Sequence, residues 1–140
     1  MQALRRLRFT LAVALAPLPA AAADLTLAVS GASGPGTVRA MVFADAEGFA
    51  TQTHALAAIA VVPRDGRVRV TIADLPPGLY AVAAYQDVNG NQQLDRTWLG
   101  VPSEPYGFSR DARPGLSAVE FGDAVVELPA SGVVVPVRLQ

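Results

Sequence analysis

Apolar and polar residues alternate along several short segments of this chain, and Gly, Pro and Asp residues separate the segments. In the first segment Leu25, Leu27 and Val29 occupy every second position, which is the pattern of a strand with one buried face. The other segments that resemble strands are TVRAMVFA, AIAVVP, RVRVTIA, LYAVAAYQ, AVVEL and VVVPVRL. About seven short strands with turn residues between them predict an all-β fold, an antiparallel β-sandwich.

The turn residues predict which strands pair locally. Asp65-Gly66 supplies the positive φ angles of a tight hairpin between AIAVVP and RVRVTIA. Gly/Pro-rich stretches are likewise expected to join the first two strands and the last two strands into pairs. Pro136 cannot donate a backbone hydrogen bond, so the last strand is expected to lie at a sheet edge or to carry a bulge. Residues 47–57 alone have helical character, and it is weak.

The first 23 residues have the layout of a secretory signal peptide. Three arginines precede an apolar run, Phe9–Leu18, and small residues end the segment at Ala23. The run is shorter than the roughly 20 residues that cross a bilayer, so an uncleaved anchor is the weaker alternative. We therefore expect a signal peptide over residues 1–23, one domain over residues 24–140 with no membrane span, and a periplasmic or secreted protein.

Charge and cysteine content exclude some partners and raise the question of what stabilises the domain. The chain has 12 acidic and 11 basic residues, and three of the basic residues lie in the expected signal peptide. The remaining acidic excess argues against nucleic acid as a partner, because phosphate binding needs a concentrated positive field. The chain contains no Cys, so a small exported domain must rely on its core, or on a bound metal, instead of disulfides.

The segment DVNGNQQLD directly follows an apolar strand and has the spacing of a calcium loop. With Asp87 as position one, Asn89, Asn91 and Asp95 fall at positions three, five and nine, and the Gln93 carbonyl falls at position seven. Oxygen donors at odd positions are how a short loop wraps Ca²⁺, which takes roughly six to eight oxygen ligands. The sequence therefore predicts a calcium site made of these five residues.

The match to an EF-hand loop is incomplete. Gln92 stands at position six, where such loops have Gly, and Trp98 stands at position twelve, where they have a bidentate Glu. Glu104 is expected to complete the ligand set, with Asp111 as a second candidate. The alternative is that Asn89-Gly90 forms a plain turn whose neighbouring acids are solvated.

The residues around this loop resemble a known bacterial family. The segment AYQDVNGNQQLDRTWLGVPSEPYGFSR is similar to the signature of the domain-of-unknown-function 2141 family (DUF2141), whose pattern is D-x-N-G-N-x-x-x-D followed by G-x-P-x-E-x-Y-G-F-S. The upstream segment DLPPGLYAVAAY resembles that family and the wider immunoglobulin-like, transthyretin-like and carboxypeptidase-regulatory β-sandwiches. The resemblance implies an exported β-sandwich of no assigned activity, and Gln92 departs from the Gly that the family commonly has.

Residues 87–123 form a long connection between predicted strands, and such loops are usually functional or specially stabilised. Tyr85, Trp98, Tyr106 and Phe108 cluster in sequence around it. Trp98, Tyr106 and Phe108 are the candidate ligand-binding residues, because exposed aromatic rings bring large contact areas. The alternative is that Trp98, Leu99 and Phe108 pack the connection onto the sandwich. We favour this packing, since an ordered long loop needs apolar anchors.

Catalysis has little support in the sequence. The chain has no Cys and one His, and Ser109 does not lie in a G-x-S-x-G motif. The sequence predicts an exported, non-enzymatic module whose calcium-stabilised loop displays a binding segment to an unknown protein or glycan. A metal-independent carbohydrate- or peptide-binding module is the alternative, and a hydrolase that uses Asp87, Asp95 or Glu104 is the third hypothesis.

Overall fold

The computed structural model describes residues 21–140. The predicted signal peptide therefore lies outside the described residues, apart from its last three positions. The described elements, in chain order, are β1 (Ala23–Ser30), β2 (Thr37–Phe43), α1 (Ala46–Thr51), β3 (Ala57–Val61), β4 (Val68–Leu75), β5 (Gly78–Asp87), β6 (Tyr106–Phe108), α2 (Phe121–Ala124), β7 (Val126–Leu128) and β8 (Val133–Arg138). Within residues 21–140 neither helix has the length and apolar character needed to cross a membrane.

The strands form two sheets that face each other. The three-stranded sheet has the order β4-β1-β8. The five-stranded sheet has the order β3-β2-β5-β6, and β7 pairs with β5 at Gly78–Tyr80, next to the segment that pairs with β6. All these pairs are antiparallel except β1 with β8, which is parallel. The predicted all-β sandwich is confirmed, and the described chain has eight strands where the sequence predicted about seven.

The predicted local strand pairs are wrong, although the turn at Asp65-Gly66 is present. Asp65 and Gly66 have φ angles of 49° and 73°, and Arg64 and Arg67 exchange two backbone hydrogen bonds of 2.9 and 3.0 Å. Beyond this turn β3 and β4 diverge into different sheets, as do β1 and β2, and β7 and β8. Turn residues specify a reversal of the chain, whereas the sheet that each strand joins depends on where its apolar face is buried.

The main core lies between the two sheets. Leu25, Leu27 and Val29 of β1 are buried there, as their alternation predicts. Val135 and Val137 of β8 join the same core, while Pro136 between them is exposed. Because β8 is an edge strand of the three-stranded sheet, the expectation for Pro136 is confirmed.

A second apolar cluster covers the outer face of the five-stranded sheet. Phe49 of α1 packs edge-on against Phe43 of β2, with ring centroids 5.6 Å apart, and α2 adds Phe121 with its ring centroid 6.1 Å from that of Phe49. Ala81 and Ala83 of β5 lie beneath them. This cluster explains why β5 is buried on both faces and reads as a continuous apolar run. The helix predicted over residues 47–57 is present as the shorter α1.

The long connection is fixed to the sandwich by hydrogen bonds near its middle. Tyr106 of β6 exchanges backbone hydrogen bonds of 3.1 and 3.2 Å with Gln140, which lies on the side of β6 that faces away from β5. The buried Ser109 hydroxyl accepts from the Val82 N–H at 2.9 Å and donates to the Ala124 carbonyl at 2.5 Å. These bonds fix the end of β6 to β5 and to α2.

Candidate functional site

Asp87 organises the start of the polar loop, residues 87–95. It is the last residue of β5 and is 1% exposed. Its Oδ2 accepts from Arg39 Nε at 2.9 Å and from the Gln92 N–H at 2.9 Å, and its Oδ1 accepts from the Gly90 N–H at 2.8 Å. One carboxylate therefore holds the first turn of the loop against the neighbouring strand β2.

The surroundings of Asp87 keep it ionised. Burial by itself raises the pKa of this carboxyl. The hydrogen bonds from Arg39, Gln92 and Gly90 and the positive charge of Arg39 outweigh burial, so the pKa lies below its ordinary value. A buried carboxylate that accepts a guanidinium and two backbone N–H groups is a stable anion, and it supplies negative charge at position one of the loop.

The other predicted ligands of the loop lie together. Asn89 Oδ1 accepts from the Asn91 N–H at 3.1 Å, and Asn91 Oδ1 accepts from the Gln93 N–H at 2.9 Å. The amide groups of both Asn side chains donate to the Asp95 carboxylate, at 2.5 and 2.7 Å. The structure thus brings Asn89, Asn91 and Asp95 into one cluster, with Asp87 anchoring the same loop.

Gln92 has the backbone conformation that Gly has in calcium loops. Its φ angle is 66°, in the left-handed region that favours Gly. Position six of an EF-hand loop needs Gly because the chain turns sharply there. The departure from that pattern is therefore in residue type, and the backbone turns at the same position.

Glu104 joins the two ends of the loop. It is 7% exposed, and its carboxylate accepts from the Val88 N–H at 2.8 Å and from the Asp95 N–H at 3.0 Å. Asp111, the second candidate, instead forms ion pairs with Arg113 at 3.1 Å and with Arg138 at 3.7 Å.

The donors in the loop suit a hard cation. Among residues 21–140 no group of three or more His, Cys, Asp or Glu side chains could hold a metal ion. The loop instead offers two carboxylates, two side-chain amides and a backbone carbonyl, which are ligands that Ca²⁺ accepts and that transition metals do not favour.

A tight turn after the polar loop projects two apolar side chains into solvent. The Gly100 N–H donates to the Thr97 carbonyl at 2.8 Å, and the Thr97 N–H donates to the Val101 carbonyl at 2.8 Å. We call residues 97–101 the Trp98 turn. Trp98 at its tip is 91% exposed, and Leu99 is 67% exposed.

The predicted packing of Trp98 and Leu99 onto the sandwich is therefore wrong. The Trp98 turn is held by backbone hydrogen bonds and by Arg96, whose guanidinium donates to the Gly100 carbonyl at 3.0 Å. A turn fixed by polar contacts needs no apolar anchor. Phe108 does pack, with its ring centroid 5.8 Å from that of Phe49 and 5.9 Å from that of Tyr106.

A groove of about 860 Å³ lies on the outer face of the five-stranded sheet. The rings of Tyr85, Tyr106 and Phe108 form its floor, and Gln92 and Gln93 of the polar loop form one wall. We call this cavity the aromatic groove. Trp98 does not line it, so the structure divides the three aromatic candidates between two places.

Tyr85 belongs to the aromatic cluster around the long connection, but it is not one of the three candidate ligand-binding residues. It lies on β5 between Ala84 and Gln86, on the same face of the strand as Asp87. Its position two residues before Asp87 was the available signal, because successive odd positions of a strand share a face. The rest of the groove comes mainly from α1, β6, the polar loop and residues 117–121, which are distant from one another in sequence.

The comparisons with known proteins agree with the sequence resemblance. A family model described as "Uncharacterized protein conserved in bacteria (DUF2141)" matches residues 28–135. The chain belongs to the DUF2141 family. The match runs from the end of β1 to the middle of β8, so the polar loop, the Trp98 turn and the floor of the aromatic groove all lie inside the DUF2141 region. Neither the search of curated proteins nor the search of solved structures found a match.

Proposed function

We propose that this DUF2141 protein is an exported, non-catalytic binding module in which calcium orders the polar loop and thereby holds the Trp98 turn in place for a partner. The observation that carries the proposal is the cluster of Asn89, Asn91 and Asp95 beside a left-handed turn at Gln92. Oxygen-bearing side chains gathered at odd positions of a nine-residue loop are the arrangement that Ca²⁺ uses.

The ion would have a defined place in the polar loop. Asp95 now receives the N–H groups of the Asn89 and Asn91 amides. A calcium ion would replace these donors as the positive partner of Asp95, with Asp87, the two Asn oxygens and the Gln93 carbonyl as further ligands. Glu104, which borders the loop at both ends, is the remaining predicted ligand.

The positions of the reactive side chains support a non-catalytic role. Ser109 is buried with its hydroxyl bonded to Ala124 and Val82, so it cannot reach a substrate. His54 is exposed and lies outside the residues that line the aromatic groove. The Asp87 and Glu104 carboxylates are engaged by backbone N–H groups, which leaves the hydrolase hypothesis without an available acid–base pair among them.

The signal-peptide pattern of residues 1–23 supports export to the periplasm or beyond the cell. Weak calcium sites with dissociation constants of about 10⁻⁴ to 10⁻³ M are typical of extracellular modules. A site with few carboxylates fits that range, and it would be occupied where calcium is millimolar.

Thermal melting with calcium and with a chelator tests the proposal. At a hundredfold excess over the dissociation constant, calcium should add about 2.7 kcal/mol to the free energy of unfolding. Asp95→Asn should abolish the shift, and Asp65→Asn, in the turn between β3 and β4, should keep it. Identical melting curves in chelator and in about 0.1 M calcium, a hundredfold excess over the weakest constant of that range, would refute the calcium site.

The aromatic groove favours a second candidate function, a metal-independent ligand-binding module. A cavity of about 860 Å³ has the size of small-molecule sites, which are mostly apolar with a few polar groups. The Trp98 turn has no part in it. Ligand binding that persists in a chelator and survives Trp98→Ala would favour this function over the first.

A further inference from the structure

We propose that the aromatic groove binds a neutral saccharide, with the Tyr85 hydroxyl as its hydrogen-bonding group and the rings of Tyr106 and Phe108 as its stacking surface. This inference rests on the second candidate function and names its ligand class. Tyr85, Tyr106 and Phe108 are not among the predicted calcium ligands, and none of them belongs to the Trp98 turn.

The Tyr85 hydroxyl is the first observation. Tyr85 is 8% exposed and lines the groove, yet its hydroxyl makes no hydrogen bond to another residue within the described part of the chain. Every fully enclosed polar side-chain atom in residues 21–140 has a partner, so this hydroxyl must open onto solvent, and the groove is the space that Tyr85 borders. A hydroxyl that opens onto solvent on an otherwise buried side chain is available to hydrogen-bond a ligand in the groove.

Tyr80 on the same strand shows the ordinary arrangement. It lies on the opposite face of β5 and is 5% exposed. Its hydroxyl donates to the Pro76 carbonyl at 2.6 Å. Both tyrosines are thus buried. Tyr85, whose hydroxyl has no partner among the described residues, is the one that lines the groove.

The phenol of Tyr85 suits a hydroxylated ligand. Its hydroxyl can both donate a hydrogen bond to a ligand hydroxyl and accept one from it.

The rim of the groove suits neutral hydroxyl groups. Gln52, Gln92 and Gln93 line it and are exposed, and each amide carries both donors and an acceptor. Arg96 and Glu120 also line it, and their opposite charges leave no net field to attract a strongly charged ligand.

The backbone around the groove argues for a saccharide over an extended peptide. β5 pairs with β2 on one side and with β6 on the other, and Tyr106 of β6 exchanges backbone hydrogen bonds with Gln140 on its free side. A peptide that binds by strand addition needs an unpaired edge. The floor offers side chains only, as half-exposed rings and hydroxyls, which fit the C–H face and hydroxyl edge of a sugar ring.

Calorimetric titration of the full-length protein with cellotriose, maltotriose and chitotriose, in chelator, tests the inference. We expect at least one of these neutral trisaccharides to bind and Tyr85→Phe, which removes only the hydroxyl, to weaken binding about tenfold. Tyr80→Phe is the matched control and should leave affinity unchanged. Melting curves verify that both variants are folded.

Three results would overturn the inference. These are no binding by any trisaccharide at millimolar concentration, unchanged affinity in Tyr85→Phe, and binding that is lost in Trp98→Ala but kept in Phe108→Ala. A proline-rich peptide and an apolar fluorescent probe are titrated in parallel. If either binds the groove and no saccharide does, the ligand class is wrong while the metal-independent binding function stands; if nothing binds, both fail.

Discussion

Asp87 and Glu104 hold the polar loop against the end of β5 by accepting hydrogen bonds from backbone N–H groups. Such bonds to an ionised acceptor are shorter and about twice as strong as neutral ones. Each carboxylate joins residues that are separated along the loop. The conformation of the site therefore depends on the carboxylates of both Asp87 and Glu104.

Asp87→Asn should reduce the acid sensitivity of the fold. The pKa of Asp87 in the folded protein is below its ordinary value of 3.8, so its stabilisation is present above that value and is lost as pH falls through the folded pKa. Between about pH 6 and about pH 2.5, the free energy of unfolding measured in urea should fall less for the variant than for the wild type. Asp65→Asn, in an exposed turn, should follow the wild type, and equal losses in all three proteins would contradict this role for Asp87.

Glu104→Ala should release both ends of the polar loop. It leaves the Val88 and Asp95 N–H groups without their acceptor, which should lower the free energy of unfolding by about 2 kcal/mol. Glu104→Gln keeps one acceptor oxygen, so its free energy of unfolding should fall by less. Hydrogen exchange at the Val88 and Asp95 amides should accelerate in Glu104→Ala. Unchanged exchange at both amides would show that Glu104 does not hold the loop.

At the scale of elements, the sequence predicted the strands well and their partners poorly. Alternation identified β1 and β4, because one buried face leaves a period of two in the chain, whereas a continuous apolar run identified β5. It could not place β3 and β4 in different sheets, since Asp65-Gly66 makes the same turn in either case. Pro136 was informative because a missing N–H restricts its strand to an edge whatever the neighbours are.

β6 depends on a close approach that sequence alone does not reveal. A Cβ on Gly107 would collide with the carbonyl oxygen of Arg138, next to the site where Tyr106 and Gln140 exchange backbone hydrogen bonds. Gly107→Ala should therefore separate β6 from the C-terminal residues and lower the melting temperature. Gly115→Ala, where the added Cβ would meet no atom within 4 Å, is the matched control. Equal melting temperatures for the two variants would rule out this close approach.

At the scale of the whole molecule, the candidate site combines a local part and a distributed part. Asn89, Asn91 and Asp95 lie close together in sequence, so their cluster could be predicted from spacing alone. The aromatic groove could not, because Tyr85 comes from β5 and its neighbours come from helices and from β6. Trp98 was predicted to pack, and its exposure followed from backbone hydrogen bonds in the Trp98 turn that no apolar pattern records.

We proposed that calcium orders the polar loop, and diffraction from crystals grown in millimolar calcium is the decisive test of that claim. We expect an anomalous difference peak surrounded by oxygen atoms of Asp87, Asn89, Asn91, Gln93 and Asp95, at roughly 2.3 to 2.6 Å. A loop with no peak, in which the Asn89 and Asn91 amides still donate to Asp95, would contradict the claim.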